Sequence, residues 1–243
     1  MKDNFSVHAG KYAKFRPQYP DALFDYLFGL VPARNAAWDC GTGNGQVASR
    51  LAQHFDKVFA TDISRQQIEQ AKPHPKIEYS VQPAEETSFP DHSFDLVTVA
   101  QAIHWFDFDA FYREVDRTLK KDGILAVTGY GLLHVTPAVD TVIRRLYVQI
   151  VGQYWDRERK YVDENYMTIP FPYTCLPAPY FEHTEEWSLE HLKGYLSTWS
   201  AVDHYIQDRR TDPVELISDD LKAAWGKESL HTVRFPILLR TAR

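Results

Sequence analysis

The stretch W-D-C-G-T-G-N-G-Q-V, Trp38–Val47, decides how the chain is read. Glycines stand at every second position, Gly41, Gly43 and Gly45, behind an acid, Asp39. Ala36–Cys40 has the apolar content of a buried strand, and Val47, Leu51 and Phe55 recur at helical spacing. A strand-to-helix turn with so few side chains lets a ligand approach the backbone, beside the free N–H groups that open a helix. A dinucleotide fingerprint requires G-x-G-x-x-G, and its third glycine position here is Gln46. A phosphate loop would need G-K-S or G-K-T, which does not follow. The turn is therefore expected to hold something other than a pyrophosphate.

Working outward, Lys57–Thr61 reads as a second strand and ends at Asp62, 21 positions after Gly41. A carboxylate there can accept from both hydroxyls of a ribose. A ribose without phosphates, next to a glycine turn, points to S-adenosylmethionine, whose sulfonium suits an acidic, carbonyl-lined sheet edge. The structural alternative makes the glycines a tight turn and Asp62 a cap for the helix beginning at Ser64.

The alternation continues to about Tyr130. Ile77–Gln82, Phe94–Gln101 and Gly123–Thr128 read as strands, and Phe108, Phe111, Tyr112, Val115 and Leu119 mark one helical face. Such alternation implies an α/β fold: a mostly parallel sheet with helices on both faces. Thr136 and Pro137 look like a helix N-cap and first helical residue, followed by a stripe at Val139, Val142, Ile143, Leu146 and Ile150. Residues 1–35 are expected to form an N-terminal helical cap. Residues 36–131 and 180–243 are expected to form the Rossmann-like core, and 132–179 a lid or substrate insertion. The lid's five basic residues, Arg144, Arg145, Arg157, Arg159 and Lys160, are matched by five acids. That balance suggests a solvated helical face more than an anion site. The final strand contains Pro236, for which a bulge is expected.

Asp39-Cys40-Gly41-Thr42-Gly43-Asn44-Gly45, with Asp62 and Ile63, resembles the class I S-adenosylmethionine-dependent methyltransferases. The likeness covers about Ala36 to Thr128, and the rest of the chain more loosely. The resemblance implies a Rossmann-like, seven-stranded, mostly parallel sheet with an antiparallel last strand, helices on both faces and a helical lid. It implies that Asp39, Gly41, Thr42 and Gly43 surround the cofactor, that Asp62 binds its ribose and that Ile63 packs on adenine. Pro83-Ala84-Glu85 falls where many members have Asp-Ala-Glu beside the adenine. With Pro83 in place of the Asp, adenine recognition falls to the Ala84 backbone, Glu85 or another group. Tyr12–Pro20, Y-A-K-F-R-P-Q-Y-P, and Ala100–Asp107, A-Q-A-I-H-W-F-D, are similar to the type 11 group that includes trans-aconitate methyltransferase-like small-molecule enzymes. In that likeness Tyr12 and Arg16 lie near the methionine end, and Arg16 can pair with its carboxylate.

Strand four delivers Ala100, Gln101 and His104 to the carboxyl edge of the sheet, where ligands of open α/β folds bind. His104 is the candidate general base for a hydroxyl or amine acceptor, or else a loop-fixing hydrogen-bonding group. A carboxylate acceptor would need no base. Methyl transfer draws much of its acceleration from alignment and water exclusion, and no metal-ligand motif is expected or found in the sequence. Three readings compete: a small-molecule methyltransferase, a regulatory S-adenosylmethionine-binding protein without transferase activity, and a nicotinamide-dependent oxidoreductase, which Gln46 disfavours. The formal charge of −6 and pI near 5.9 argue against a nucleic-acid partner. Q-A-I-H-W stands where amino-methylating nucleic-acid enzymes carry a Pro-Pro-aromatic motif, and neither Cys40 nor Cys175 follows a proline, as cytosine-C5 enzymes require. Two cysteines make no disulfide framework, and neither a signal core nor a spanning apolar run is visible, so a cytoplasmic location without membrane partners is expected.

Overall fold

The computed structural model describes residues 15–243, so Tyr12 and the first fourteen positions of the expected N-terminal cap lie outside the described residues. Strands β1 (Ala36–Cys40), β2 (Lys57–Asp62), β3 (Ile77–Val81), β4 (Phe94–Ala100), β5 (Leu119–Tyr130), β6 (Phe181–Trp187) and β7 (His231–Ala242) form one sheet in the order β3-β2-β1-β4-β5-β7-β6. The first five pair in parallel, and β7 enters antiparallel between β5 and β6. This is the architecture the resemblance implied.

Alternation along the central strands explains why both faces are covered. Ala37, Leu96, Ile124 and Ala126 turn to one face, where they meet Leu23, Phe24, Leu27 and Phe28 of α1 (Asp21–Leu30) and Leu51 of α2 (Gln46–Leu51). Trp38, Val97, Val99, Leu125 and Val127 turn to the other, against Phe111, Tyr112 and Val115 of α4 (Phe108–Thr118). A strand buried on both sides reads as an unbroken apolar run, and β4 is one. Asp107 caps α4 by accepting from Ala110 N at 3.0 Å, and Ser64 caps α3 (Arg65–Glu69) by accepting from Gln67 N at 3.4 Å.

Several boundaries differ from expectation. Helix α2 is shorter than the Gly45–Phe55 pattern suggests, because residues 52–54 close into a turn. Strand β5 starts at Leu119, paired with Phe94, then slips register before Leu96 meets Ile124. Lys120–Gly123 is accommodated in that irregularity. Pro236 sits in unbroken register with β6, opposite Glu182. Its carbonyl accepts from Gly131 N at 2.9 Å, beyond the point where Tyr130↔Ile237 ends the ladder with β5. The extra residue lies on the neighbour instead: Tyr130 pairs with Ile237 and His134 with Arg234, four steps against three. The proline's missing N–H thus falls where β5 has left the ladder.

After β5, α5 (Pro137–Arg144) is capped by Thr136 as its sequence suggests, and it runs directly into a π-turn at Arg145–Ile150. A short helix α6 (Arg159–Asp163) follows. Helices α7 (Leu189–Leu196), α8 (Ser200–Arg209) and α9 (Ser218–Trp225) lie between β6 and β7. The two segments pack together: Val139, Ile143 and Leu146 share one core with Leu192, Leu196, Val202 and Leu221. Arg145 pairs with Asp220 at 2.5 Å, and Tyr154 donates to Asp208 at 2.6 Å.

Candidate active site

Because β2 and β4 flank β1, the connections leaving β1 and β4 diverge and open a crevice at their carboxyl ends. A cleft of about 930 Å³, measured out to its mouth, lies there. Its walls include Arg16, Asp39, Gly41, Thr42, Gly43, Asp62, Ile63, Ala100 and Gln101. All of these were anticipated from the sequence. Asn44, Gln46, Ser64, Gln67, Trp105 and Tyr130 also line it. The expected neighbours Ala84 and Glu85 do not. Ala84 is buried in the second core, and Glu85 accepts from the Asp107 amide at 3.1 Å.

The turn is built by two carboxylates with different jobs. Asp39 is buried, and both of its oxygens are used within the protein. Oδ1 accepts from Thr98 Oγ1 at 2.8 Å, while Oδ2 accepts from Thr42 Oγ1 at 2.5 Å and Ala48 N at 3.0 Å. Burial pushes its pKa up to about 6; those hydrogen bonds pull the other way, and the nearby Asp62 adds to the rise. Asp39 therefore shapes the turn from beneath, more than it contacts a ligand. Asp62 stands at the end of β2 with Oδ2 accepting from Gly43 N and Oδ1 from Ser64 N, both at 2.8 Å. An ionised carboxyl has about four acceptor sites, so capping and ligand contact are compatible roles for Asp62.

Gly41 has φ +69°, and a Cβ there would stand 2.6 Å from the Ala102 Cβ. The close approach of this turn to the segment after β4 demands glycine. Gly43, φ +56°, is different: among the described residues an added Cβ would meet only Gln67 Oε1, at 3.9 Å. It lines the cleft.

A second cleft, about 490 Å³ measured out to its mouth, adjoins the first and shares Arg16, Gln101 and Trp105 with it. His104, Trp155, Arg159 and Trp199 complete most of its wall. Arg16 donates to Tyr130 Oη at 3.0 Å and to the Thr198 carbonyl at 3.1 Å. Gln101, held at φ +53°, donates through Nε2 to the Tyr130 carbonyl at 3.2 Å. Its Oε1 then faces Tyr166, which donates to it at 3.2 Å. With the Tyr166 proton so directed, the 3.1 Å contact between Tyr166 Oη and His104 Nδ1 needs the hydrogen on the histidine. His104 is thereby fixed as the Nδ1–H tautomer, with the lone pair on Nε2. Burial, helped by the positive charge of Arg159, holds its pKa down to about 3. So weak a base removes a proton from an alcohol or amine poorly at neutral pH.

Sequence reasoning missed Trp155, Arg159 and Trp199 as site residues, because Trp155 and Arg159 meet Trp199 only through the packing of two segments distant in the chain. Arg159 was seen only among the lid's balanced charges. Among the described residues no cluster of three His, Cys, Asp or Glu suits a metal, and no helix is long and apolar enough to cross a membrane.

The comparisons agree with this geometry. Residues 38–127 match the family model described as a methyltransferase domain. A Dictyostelium discoideum protein carrying a methyltransferase name is 34% identical over 98% of this chain and 93% of its own. An uncharacterized methyltransferase of Mycobacterium tuberculosis is 30% identical over 84% of this chain and 75% of its own. A solved structure described as a type II methyltransferase from Anaeromyxobacter dehalogenans superposes with a TM-score of 0.88 at 43% identity, covering 94% of this chain and 98% of that one. With its strand order, its glycine turn and its acid at the end of β2, the chain belongs to the class I S-adenosylmethionine-dependent methyltransferases.

Proposed function

We propose that the protein methylates a small molecule seated in the second cleft, with S-adenosylmethionine in the first. The observation that carries this reading is that the two clefts meet at Arg16, Gln101 and Trp105. The residues fit the cofactor: among the described residues no atom lies closer than 3.9 Å to a Cβ built on Gly43, and the Asp62 carboxylate lines the same cleft, an acceptor suited to ribose hydroxyls. Ile63 offers an apolar surface to adenine, and Arg16 a guanidinium to the amino-acid carboxylate. When bound, S-adenosylmethionine supplies an electrophilic methyl group on a sulfonium that departs as a neutral thioether.

The chain's own contribution is alignment and dryness. Trp105, Trp155 and Trp199 wall the acceptor side and exclude water. His104 positions an acceptor by receiving a hydrogen bond at Nε2, and does not store its proton. Residues 132–179, with the helices after β6, serve as the lobe that shapes the acceptor side; Arg16, Pro17 and Tyr19 border the cofactor side. A cytoplasmic setting and the absence of a nucleic-acid partner belong to the same reading, supported by the acidic composition.

Calorimetry with S-adenosylhomocysteine, followed by an acceptor screen of carboxylic acids, phenols and amines that reads its release, tests the proposal. Micromolar binding and turnover of a small acceptor are expected. Failure to bind S-adenosylhomocysteine, or turnover confined to nucleic acid or protein, would overturn it.

A further inference from the structure

The lid's basic residues separate once they are placed. Arg144, Arg157 and Lys160 are exposed, and Arg145 pairs with Asp220. Arg159 instead turns inward and lines the second cleft, its side chain 19% exposed. The guanidinium lies over the Trp155 ring, 4.7 Å from its centroid, and over Tyr147 at 5.4 Å. Nε donates to Tyr147 Oη at 2.7 Å and reaches Asp163 Oδ1 at 3.4 Å. Tyr147 Oη in turn donates to Asp163, and the Tyr147 carbonyl accepts from Trp155 Nε1 at 3.1 Å.

The support therefore comes through one edge of the fork. Nε is anchored and the plane is stacked, while the terminal nitrogens have no hydrogen-bond partner among the described residues. A planar guanidinium held that way presents a preformed two-pronged donor. Asp163 pairs with Arg159 from behind the wall, and the other charged residues of the lining are Arg16 and Asp156. His104, kept neutral, adds no charge. Trp105, Trp155 and Trp199 form part of the wall and offer flat aromatic surface to a planar ligand.

The geometry points to Arg159 as a specificity determinant that binds a carboxylate of a small planar acceptor in the second cleft. This rests on the methyltransferase reading above, and its test separates the two. The protein, saturated with S-adenosylhomocysteine, is titrated by calorimetry with a panel of small planar acids such as benzoate and cinnamate, each paired with its carboxamide. Wild type is expected to bind at least one acid at least tenfold more tightly than its amide. Arg159→Gln should abolish that preference, and Arg159→Lys should keep part of it, since an ammonium retains the charge but loses the fork. In both variants S-adenosylhomocysteine affinity should stay within twofold of wild type, which also checks that they fold. No acid–amide preference in wild type, no acid binding at all, or a preference that survives Arg159→Gln overturns the assignment. If S-adenosylhomocysteine itself does not bind, the methyltransferase reading is what fails.

Discussion

Gly41→Ala and Gly43→Ala are expected to fail in different ways, although the two glycines are neighbours but one and both have positive φ. At Gly41, φ +69° costs an alanine about 1–2 kcal/mol. The new methyl would also stand 2.6 Å from the Ala102 Cβ, well inside the usual contact distance. Forced overpacking of this kind costs about 1–3 kcal/mol. The sum is about 2–5 kcal/mol of folding stability, with the cleft wall displaced as well. At Gly43 the backbone term remains, but the nearest atom among the described residues is 3.9 Å away, so the loss should be about 1–2 kcal/mol. That methyl stands in the cleft, so S-adenosylhomocysteine affinity should fall at least tenfold despite the milder destabilisation. Urea unfolding and calorimetry measure the two quantities separately. Ala102→Gly removes the atom that Gly41→Ala strikes, so the double variant should recover at least about 1 kcal/mol relative to additivity. Equal stability of the two single variants, or no coupling with Ala102→Gly, would show that close approach does not explain Gly41.

Asp62→Ala should weaken S-adenosylhomocysteine binding about 10- to 100-fold in calorimetry, because it removes a charged acceptor and releases the Gly43 and Ser64 amides that Asp62 holds. His104, with its folded pKa near 3, should contribute no limb to kcat/KM between pH 6 and 8. Its pKa is depressed below the unfolded value of 6.5, so the unfolded chain binds the extra proton as pH falls. Its contribution is full above pH 6.5 and is lost toward pH 3. Wild type relative to His104→Gln should therefore lose about 1.4 kcal/mol in urea unfolding between pH 7.5 and 5.5. Asp39 has the opposite sign: its raised pKa favours the folded state below 3.8, and that advantage is lost as pH rises through about 6. Asp39→Asn, which stays neutral, should gain stability relative to wild type between pH 5 and 7.5. Glu114, on α4, accepts from Thr87 and from Arg117 of the same helix, away from both clefts. Glu114→Ala should cost about 2–3 kcal/mol in urea unfolding, with S-adenosylhomocysteine affinity unchanged.

The first cleft was legible in the sequence because it is local. A glycine turn, the acid that ends the next strand and the residues leaving β4 each follow a strand whose apolar run marks it, and the sheet brings those strand ends together. Ala84 and Glu85, expected beside the adenine, do not line the first cleft, because position in a motif does not say which way a loop turns. Glu85 is engaged by the Asp107 amide. The second cleft was illegible for a different reason. Trp155 and Trp199 are 44 positions apart, with β6 and α7 between them, yet their ring centroids lie 5.6 Å apart. No periodicity records such a meeting. The π-turn at Arg145–Ile150, which carries the Tyr147 that holds Arg159, likewise lies inside an apolar stripe that reads as ordinary helix. For Pro236, the rule about proline in strands correctly foresaw an irregularity but put it on the wrong strand.

The layer of helices around the second cleft is stitched from two separate lengths of chain, by Arg145 with Asp220, Tyr154 with Asp208 and the His204 Nδ1 contact to the Tyr154 carbonyl at 2.9 Å. Anyone seeking to retarget this enzyme by grafting a lobe from a cousin must transplant both lengths together. A chimera that swaps one alone would strand these pairings at a mismatched seam and inherit the substrate range of neither parent.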